Sequence, residues 1–130
     1  MSDLALTKTV SGGMEDVCLR LTEAIKPFGF GILTRIDFDR KIKEKIGKDL
    51  KPCVILGACN PNLAYQAYQK SSDTALLVPC NIVLTEVAQN EIRIEAMRPT
   101  RMLEMLPGGG SFPQVEEAER DLERALERLA

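Results

Sequence analysis

The sequence contains no histidine, the side chain that most often acts as a general base or metal ligand near neutral pH. Its absence excludes the Ser-His and Cys-His arrangements that activate a nucleophile. The four cysteines include no Cys-x-x-Cys pair, and their spacings match no zinc module. We therefore predict no metal site, and any proton transfer would depend on a carboxylate, a lysine or a tyrosine.

Aromatic residues and surplus positive charge are also scarce. The chain has four phenylalanines, two tyrosines, no tryptophan and a formal net charge of −2. Nucleic-acid binders usually carry a basic surplus, and those that bind single strands add aromatic side chains for base stacking. We therefore expect no nucleic-acid partner. The basic stretch at residues 40–51 is interpreted as the solvated face of a short helix, with a site for an anionic ligand as the alternative.

Long hydrophobic runs and nucleotide-binding loops are missing as well. No apolar run approaches the roughly 18 residues of a membrane span, and the N-terminus lacks the pattern of a signal peptide. The glycines form neither a Gly-x-Gly-x-x-Gly motif nor a Walker loop. We expect a cytoplasmic protein with no membrane partner and no cofactor, whose cysteines are mainly reduced.

What is present is the composition of an ordinary globular domain, with 130 residues, 45% hydrophobic and 28% charged. Such a chain can bury a core without metals or disulfides. The periodicities predict one domain of strands and helices over residues 1–106, a Gly/Pro linker over 107–113 and an amphipathic C-terminal helix over 114–130. The apolar stripe of that helix must find a partner surface, either on the same domain or on another chain.

Alternation and helical periodicity divide the domain into elements. Residues 4–10 and 29–38 alternate as strands, and a helix with one apolar stripe follows Met14. Residues 53–58 are apolar throughout, which is typical of a strand covered on both faces. Asn60 and Pro61 suit the start of a helix to about Lys70. The remaining predictions are a long strand over 74–87 interrupted by Pro79, a hairpin through Gln89-Asn90, and a short helix after Pro99.

Two stretches place a cysteine, an asparagine and a proline next to an apolar run. They are residues 55–61 (ILGACNP) and residues 76–82 (LLVPCNI). If the protein has a site, we expect it at these two motifs. Free backbone N–H groups at the helix start would lower the pKa of Cys59, although a buried cysteine can also be a small packing residue. Cys59 and Cys80 would form a redox pair only if the fold brings their Cα atoms within about 4.4–6.8 Å.

Together with GFGIL at residues 29–33, these motifs resemble the domain-of-unknown-function family 302, in a subgroup that contains cysteines. The resemblance covers about residues 4–106. It implies an α+β fold of the TBP-like, helix-grip kind, in which a curved, mostly antiparallel sheet wraps a long helix, usually as a homodimer. The shared feature at the site is a Gly-x-x-Asn-Pro turn, here Gly57, Asn60 and Pro61, followed by the strand with Pro79. Arg98 departs from the pattern, which more often has an acidic residue there.

Three hypotheses about function stay open at this point. The first is a binding domain whose small-molecule ligand lies near Gly57, Asn60, Pro61, Pro79 and Asn81. The second is a thiol redox or sulfur-transfer protein that uses Cys59 and Cys80 as a catalytic pair. The third is a structural or interaction protein that recruits a partner through its C-terminal helix.

Overall fold

The computed structural model describes residues 3–109 and 112–130, so Gly110 and Ser111 of the predicted linker lie outside the described residues. It confirms an α+β fold with an antiparallel sheet of five strands, in the order β1-β5-β4-β3-β2, and a C-terminal helix. The strands are β1 (Ala5–Ser11), β2 (Gly31–Asp37), β3 (Cys53–Cys59), β4 (Cys80–Ala88) and β5 (Glu91–Met97). The α-helices are α1 (Met14–Ile25), α2 (Phe38–Ile46), α3 (Pro61–Lys70), α4 (Thr74–Leu77), α5 (Pro99–Leu103) and α6 (Pro113–Glu127).

One face of the sheet, called here the inner face, packs on the helices and forms the main core. Every second residue of the central strands points to it, as Val54, Leu56 and Ala58 do in β3. Helix α1 contributes its predicted stripe, of which Val17, Leu21 and Ile25 are fully buried.

Helix α6 packs its apolar side on the same core. Its stripe is buried to more than nine-tenths, and several of its members belong to the cluster that includes the sheet and α1. The partner surface that this stripe requires is therefore supplied by the same chain. The buried members of α6 are Val115, Ala118, Leu122, Ala125 and Leu126.

The predicted long strand over residues 74–87 is wrong in its first part. Residues Thr74–Leu77 form the short helix α4, which the backbone N–H of Val78 closes by donating to Thr74 O at 3.2 Å. The peptide bond between Val78 and Pro79 is cis, and β4 begins only at Cys80. Because proline has no N–H to donate to a ladder, the chain can join the sheet only after it.

The strand predicted over residues 29–38 is shorter than expected. β2 ends at Asp37, and its register against β3 shifts between Ile32 and Thr34. Such a bulge breaks the alternation of faces, so Ile36 remains 44% exposed. Phe38 is the first residue of α2 rather than the last residue of the strand.

The opposite face of the sheet, called here the outer face, is only half-buried. In β3 it carries Cys53, Ile55 and Gly57, and their neighbours in β4 are Thr85, Val83 and Asn81. The apolar sequence of β3 predicted that both faces of the strand are buried, but in this structure only the inner face is well buried.

Within residues 3–109 and 112–130, no helix is long and apolar enough to cross a membrane.

Candidate functional site

A small cavity lies where α3, α4 and α5 meet the ends of β3 and β4. Its volume is about 30 Å³, room for one or two water-sized groups. The wall is apolar and carries no charged side chain, so it cannot favour an ionic group. The lining residues are Phe30, Ala58, Cys59, Asn60, Leu63, Ala64, Ala67, Thr74, Val78, Cys80, Pro99, Met102 and Leu103.

Both motif cysteines line this cavity. Strand β3 pairs with β4 so that Ala58 lies opposite Cys80, which places Cys59 one residue beyond the pair. Both thiols are free, and Cys80 Sγ lies 3.6 Å from Met102 Sδ. The antiparallel ladder thus brings together two cysteines that are separated by twenty residues in the sequence.

The environment of these cysteines favours the neutral thiol. Burial raises the pKa of Cys80 to about 12, and the neighbouring Cys59 adds to the shift. Burial also raises the pKa of Cys59, which is opposite to the direction expected from its place before a helix. Since the thiolate is the nucleophile, neither sulfur is activated at neutral pH.

Asn60 builds the rim of the cavity by holding the start of α3. Its side-chain Oδ1 accepts a hydrogen bond from the backbone N–H of Leu63 at 3.2 Å, as predicted for a helix N-cap. Its Nδ2 donates to Phe28 O at 3.4 Å and so ties α3 to the turn before β2. Pro61 is the first residue of α3 and is exposed.

The other predicted ligand residues lie on the outer face, away from the cavity. The Pro79 ring packs closely over Gly57: a Cβ atom added to Gly57 would lie 2.6 Å from Pro79 Cγ. The same atom would overlap Thr34 Oγ1. Asn81 pairs with Gly57 in the ladder and is exposed. The structure therefore divides the predicted set: Cys59, Asn60 and Cys80 line the cavity, and Gly57, Pro61, Pro79 and Asn81 do not.

Thr74 is a cavity residue that sequence reasoning missed. Its side chain is 2% exposed, and Thr74 Oγ1 has no hydrogen-bond partner among the described residues. The sequence prediction placed Thr74 in a strand and gave its hydroxyl no role in the site. The available signal was the turn-forming Ser71-Ser72-Asp73 directly before it, which favours the start of a short helix.

Across residues 3–109 and 112–130, no group of three or more cysteine, aspartate or glutamate side chains is arranged to hold an ion.

Comparison with known proteins gives a family match and a structural match. The model of the family described as domain of unknown function DUF302 matches residues 6–129. The crystal structure of an uncharacterized conserved DUF302 protein from Bacillus stearothermophilus is similar with a TM-score of 0.76 and 28% identity, covering 97% of this chain and 94% of that one. None of the curated proteins matches the chain. The family match reaches residue 129, so it includes α6, beyond the stretch that the motifs resemble.

Proposed function

The chain belongs to the DUF302 family, and from this starting point we propose that it is a binding protein for a small uncharged ligand. The observation that carries the proposal is that Cys59 and Cys80, from two separate motifs, line one partly open, uncharged cavity. Apolar cavities with a few convergent polar groups are the usual sites of small-molecule binding. The role of Asn60 is then structural: its hydrogen bond to the backbone of Leu63 fixes the start of α3, which forms one wall of the cavity.

Titration with ethanol tests this proposal, because ethanol is uncharged and its CH₂OH end matches the one or two groups that the cavity can hold. We expect the amide signals of ¹⁵N-labelled protein to shift around Cys59, Thr74 and Met102. Ala67→Leu should abolish these shifts, because Ala67 is 1% exposed and a larger side chain there fills the cavity. Ala88→Leu, at the exposed end of β4, is the matched control. Shifts that are absent, or that map elsewhere on the wild-type protein, would contradict the proposal.

Thiol redox chemistry is the second candidate, favoured by the two cysteines on one cavity. In the balanced reaction, glutathione disulfide accepts two electrons and two protons, Cys59 and Cys80 form one S–S bond, and two glutathione thiols leave. The raised pKa of each thiol predicts slow exchange at neutral pH. We also propose that the protein lies in the cytosol, where the thiols of its four cysteines would be kept reduced.

Alkylation by iodoacetamide, read by mass spectrometry for each cysteine at several pH values, separates the two candidates. A binding protein should show Cys80 inert until it is unfolded, and Cys59 reacting only at alkaline pH. Fast alkylation of Cys59 near pH 7, together with a Cys59–Cys80 disulfide after treatment with glutathione disulfide, would establish the redox candidate instead.

We propose further that the protein is a homodimer that joins two copies through the outer face. This face combines exposed and half-buried apolar residues such as Ile36 and Ile55 with both signs of charge, Arg93 beside Glu95 at 3.3 Å. A two-fold interface needs such self-complementarity. Five strands of about seven residues span about 24 by 23 Å, or about 550 Å² in projection. A stable interface buries roughly 800 Å² of accessible surface on each partner, so a dimer of this kind would have to use the whole outer face.

Sedimentation velocity tests the dimer. We expect a dimer for the wild type and a monomer for Ile55→Glu, which places a charge in the centre of the outer face. Leu19→Glu is the control, because Leu19 is 62% exposed on α1, away from the outer face. A monomeric wild type at about 100 µM would rule this interface out. The C-terminal helix is a weaker candidate for recruiting a partner protein, since its apolar side already packs on its own domain.

A further inference from the structure

A surface groove adjoins the cavity on its solvent side. It lies between α3 and α4, and its volume is about 330 Å³. Three residues, Ala64, Thr74 and Val78, line both the groove and the inner cavity, so the two spaces meet at these side chains. The remaining lining residues of the groove are Tyr65, Tyr68 and Ala75.

The groove presents aromatic side chains to solvent without any charge. Tyr65 and Tyr68 are 67% and 49% exposed, and their spacing of three residues places them on one side of α3. Exposed tyrosines offer flat apolar surface at a low cost in conformational entropy. The groove is therefore suited to a flat apolar body, and it has none of the cationic or anionic groups that a charged ligand would need.

Thr74 stands at the junction of the two spaces with a hydroxyl that lacks a partner. A buried hydroxyl without a hydrogen bond costs folding free energy, so such a group in a native protein calls for an explanation. Thr74 is 2% exposed and lines both spaces, and its Oγ1 makes no hydrogen bond to the described residues. A ligand atom that reaches the inner cavity would supply the missing partner.

We propose that the ligand is an uncharged molecule with a flat, aromatic or otherwise apolar body and a short polar head such as a primary alcohol, aldehyde or amide. The body lies in the groove against Tyr65 and Tyr68. The head enters the inner cavity and forms a hydrogen bond with Thr74 Oγ1. This assignment rests on the proposed binding function and adds the ligand class and the residue that recognises it.

Benzyl alcohol and toluene test the assignment as a matched pair, because they share the ring and differ by one hydroxyl. Titration of the ¹⁵N-labelled full chain should give an affinity for benzyl alcohol about tenfold higher than for toluene, the worth of one neutral hydrogen bond. Thr74→Val removes the hydroxyl with little change of shape and should abolish or reverse the preference, because the buried hydroxyl of benzyl alcohol then lacks its partner. Tyr65→Ala and Tyr68→Ala should weaken both probes alike, and Thr9→Val, on the exposed side of β1, should change neither.

The comparison of the two probes on the unmodified protein needs no variant, so the test does not depend on the folding of Thr74→Val. Equal affinities for the two probes, or a preference that survives Thr74→Val, would overturn the assignment. If ethanol shifts the cavity residues and benzyl alcohol does not bind, the ligand class is wrong and the binding function stands. If neither ethanol nor benzyl alcohol binds, both the binding function and the ligand class are wrong.

Discussion

Asn60 shows how a residue can look like a ligand contact and act as a structural one. Its side chain accepts a hydrogen bond from Leu63 N and donates another to Phe28 O, so both ends of the amide are engaged. These bonds fix α3 relative to the turn before β2. The position of the cavity wall therefore depends on Asn60, whether or not a ligand touches it.

Asn60→Ala should lower the free energy of unfolding by about 1–2 kcal/mol, because it removes the N-cap of α3. Asn60→Asp should cost less, since it keeps the acceptor for Leu63 N and loses the donor to Phe28 O. Urea denaturation followed by circular dichroism measures both. The exposed Asn62→Ala is the control in the same helix. A loss from Asn60→Asp as large as that from alanine would mean that the bond to Phe28 matters more than the cap.

At the scale of elements, Gly57 sets the contact between β3 and the chain that enters β4. The missing side chain of Gly57 leaves room for the Pro79 ring and for Thr34 from β2. The Pro79 ring lies against Gly57 on the outer face, and the next residue, Cys80, is buried. One glycine thus allows three strands to come together at the end of the sheet nearest the cavity.

Gly57→Ala should destabilise the protein by about 1–3 kcal/mol, as overpacking of a tight contact does. The rigid Pro79 ring has little freedom to move away from the new methyl group. Gly31→Ala is the matched control, because a Cβ at Gly31 meets nothing within 4 Å. Thermal unfolding of the two variants compares them directly. Equal melting temperatures for both would show that the sheet end adapts and that the contact is not tight.

The Glu119 carboxylate of α6 makes polar contacts with the start of α5. Glu119 Oε1 accepts hydrogen bonds from the backbone N–H of Thr100 at 3.0 Å and from its hydroxyl at 2.6 Å. Glu119 Oε2 pairs with Arg98 Nη1 at 3.1 Å. The basic residue that departs from the family pattern at position 98 therefore has a structural partner in the C-terminal helix.

Glu119→Ala should cost about 2–3 kcal/mol of unfolding free energy, because it leaves Arg98 and the start of α5 without their acceptor. The side chain of Glu119 is 16% exposed, so solvent replaces the lost bonds poorly. Urea denaturation gives the difference, and the exposed Glu117→Ala on the same helix should change stability by less than about 0.5 kcal/mol. Equal small effects for the two variants would show that α6 is held by its apolar side alone.

At the scale of the whole molecule, the buried thiols link stability to pH. Burial raises the pKa of all four cysteines above the unfolded value of 9.0, most of all Cys80 at about 12. Below pH 9 the thiols are protonated in both states and add no pH dependence. Between pH 9 and 12 the unfolded chain releases protons that the folded chain keeps, so stability falls as pH rises.

The free energy of unfolding should therefore decline above pH 9, with Cys80 contributing up to about 1.4 kcal/mol per pH unit. Cys80→Ala should show a shallower decline between pH 9 and 11, although its stability at pH 7 is lower because of the lost packing. The two proteins differ only at residue 80, so the difference between the two slopes isolates Cys80. Parallel slopes in urea denaturation would contradict the raised pKa.

The amino-acid sequence alone determined the features that depend on near neighbours. The stripe of α1, the start of α3 at Asn60 and Pro61 and the hairpin through Gln89-Asn90 were all predicted from periodicity, capping and turn chemistry. Each of these depends on residues within about four positions, because helix and turn hydrogen bonds close over that distance. The motif at residues 55–61 was also predicted to contribute to a site, and Ala58, Cys59 and Asn60 from it line the cavity.

The tertiary structure alone decided which of these residues share a space. The cavity joins side chains from Phe30 to Leu103, and only the order of strands brings them together. It also decided that Thr74 belongs to a helix and lines the cavity, and that its buried hydroxyl has no hydrogen-bond partner among the described residues. The apolar run that begins at Thr74 favours a strand locally. Pro79 and the packing of α4 against α3 and α5 outweigh that preference. Long-range packing sets the site, and it cannot be read from spacing along the chain.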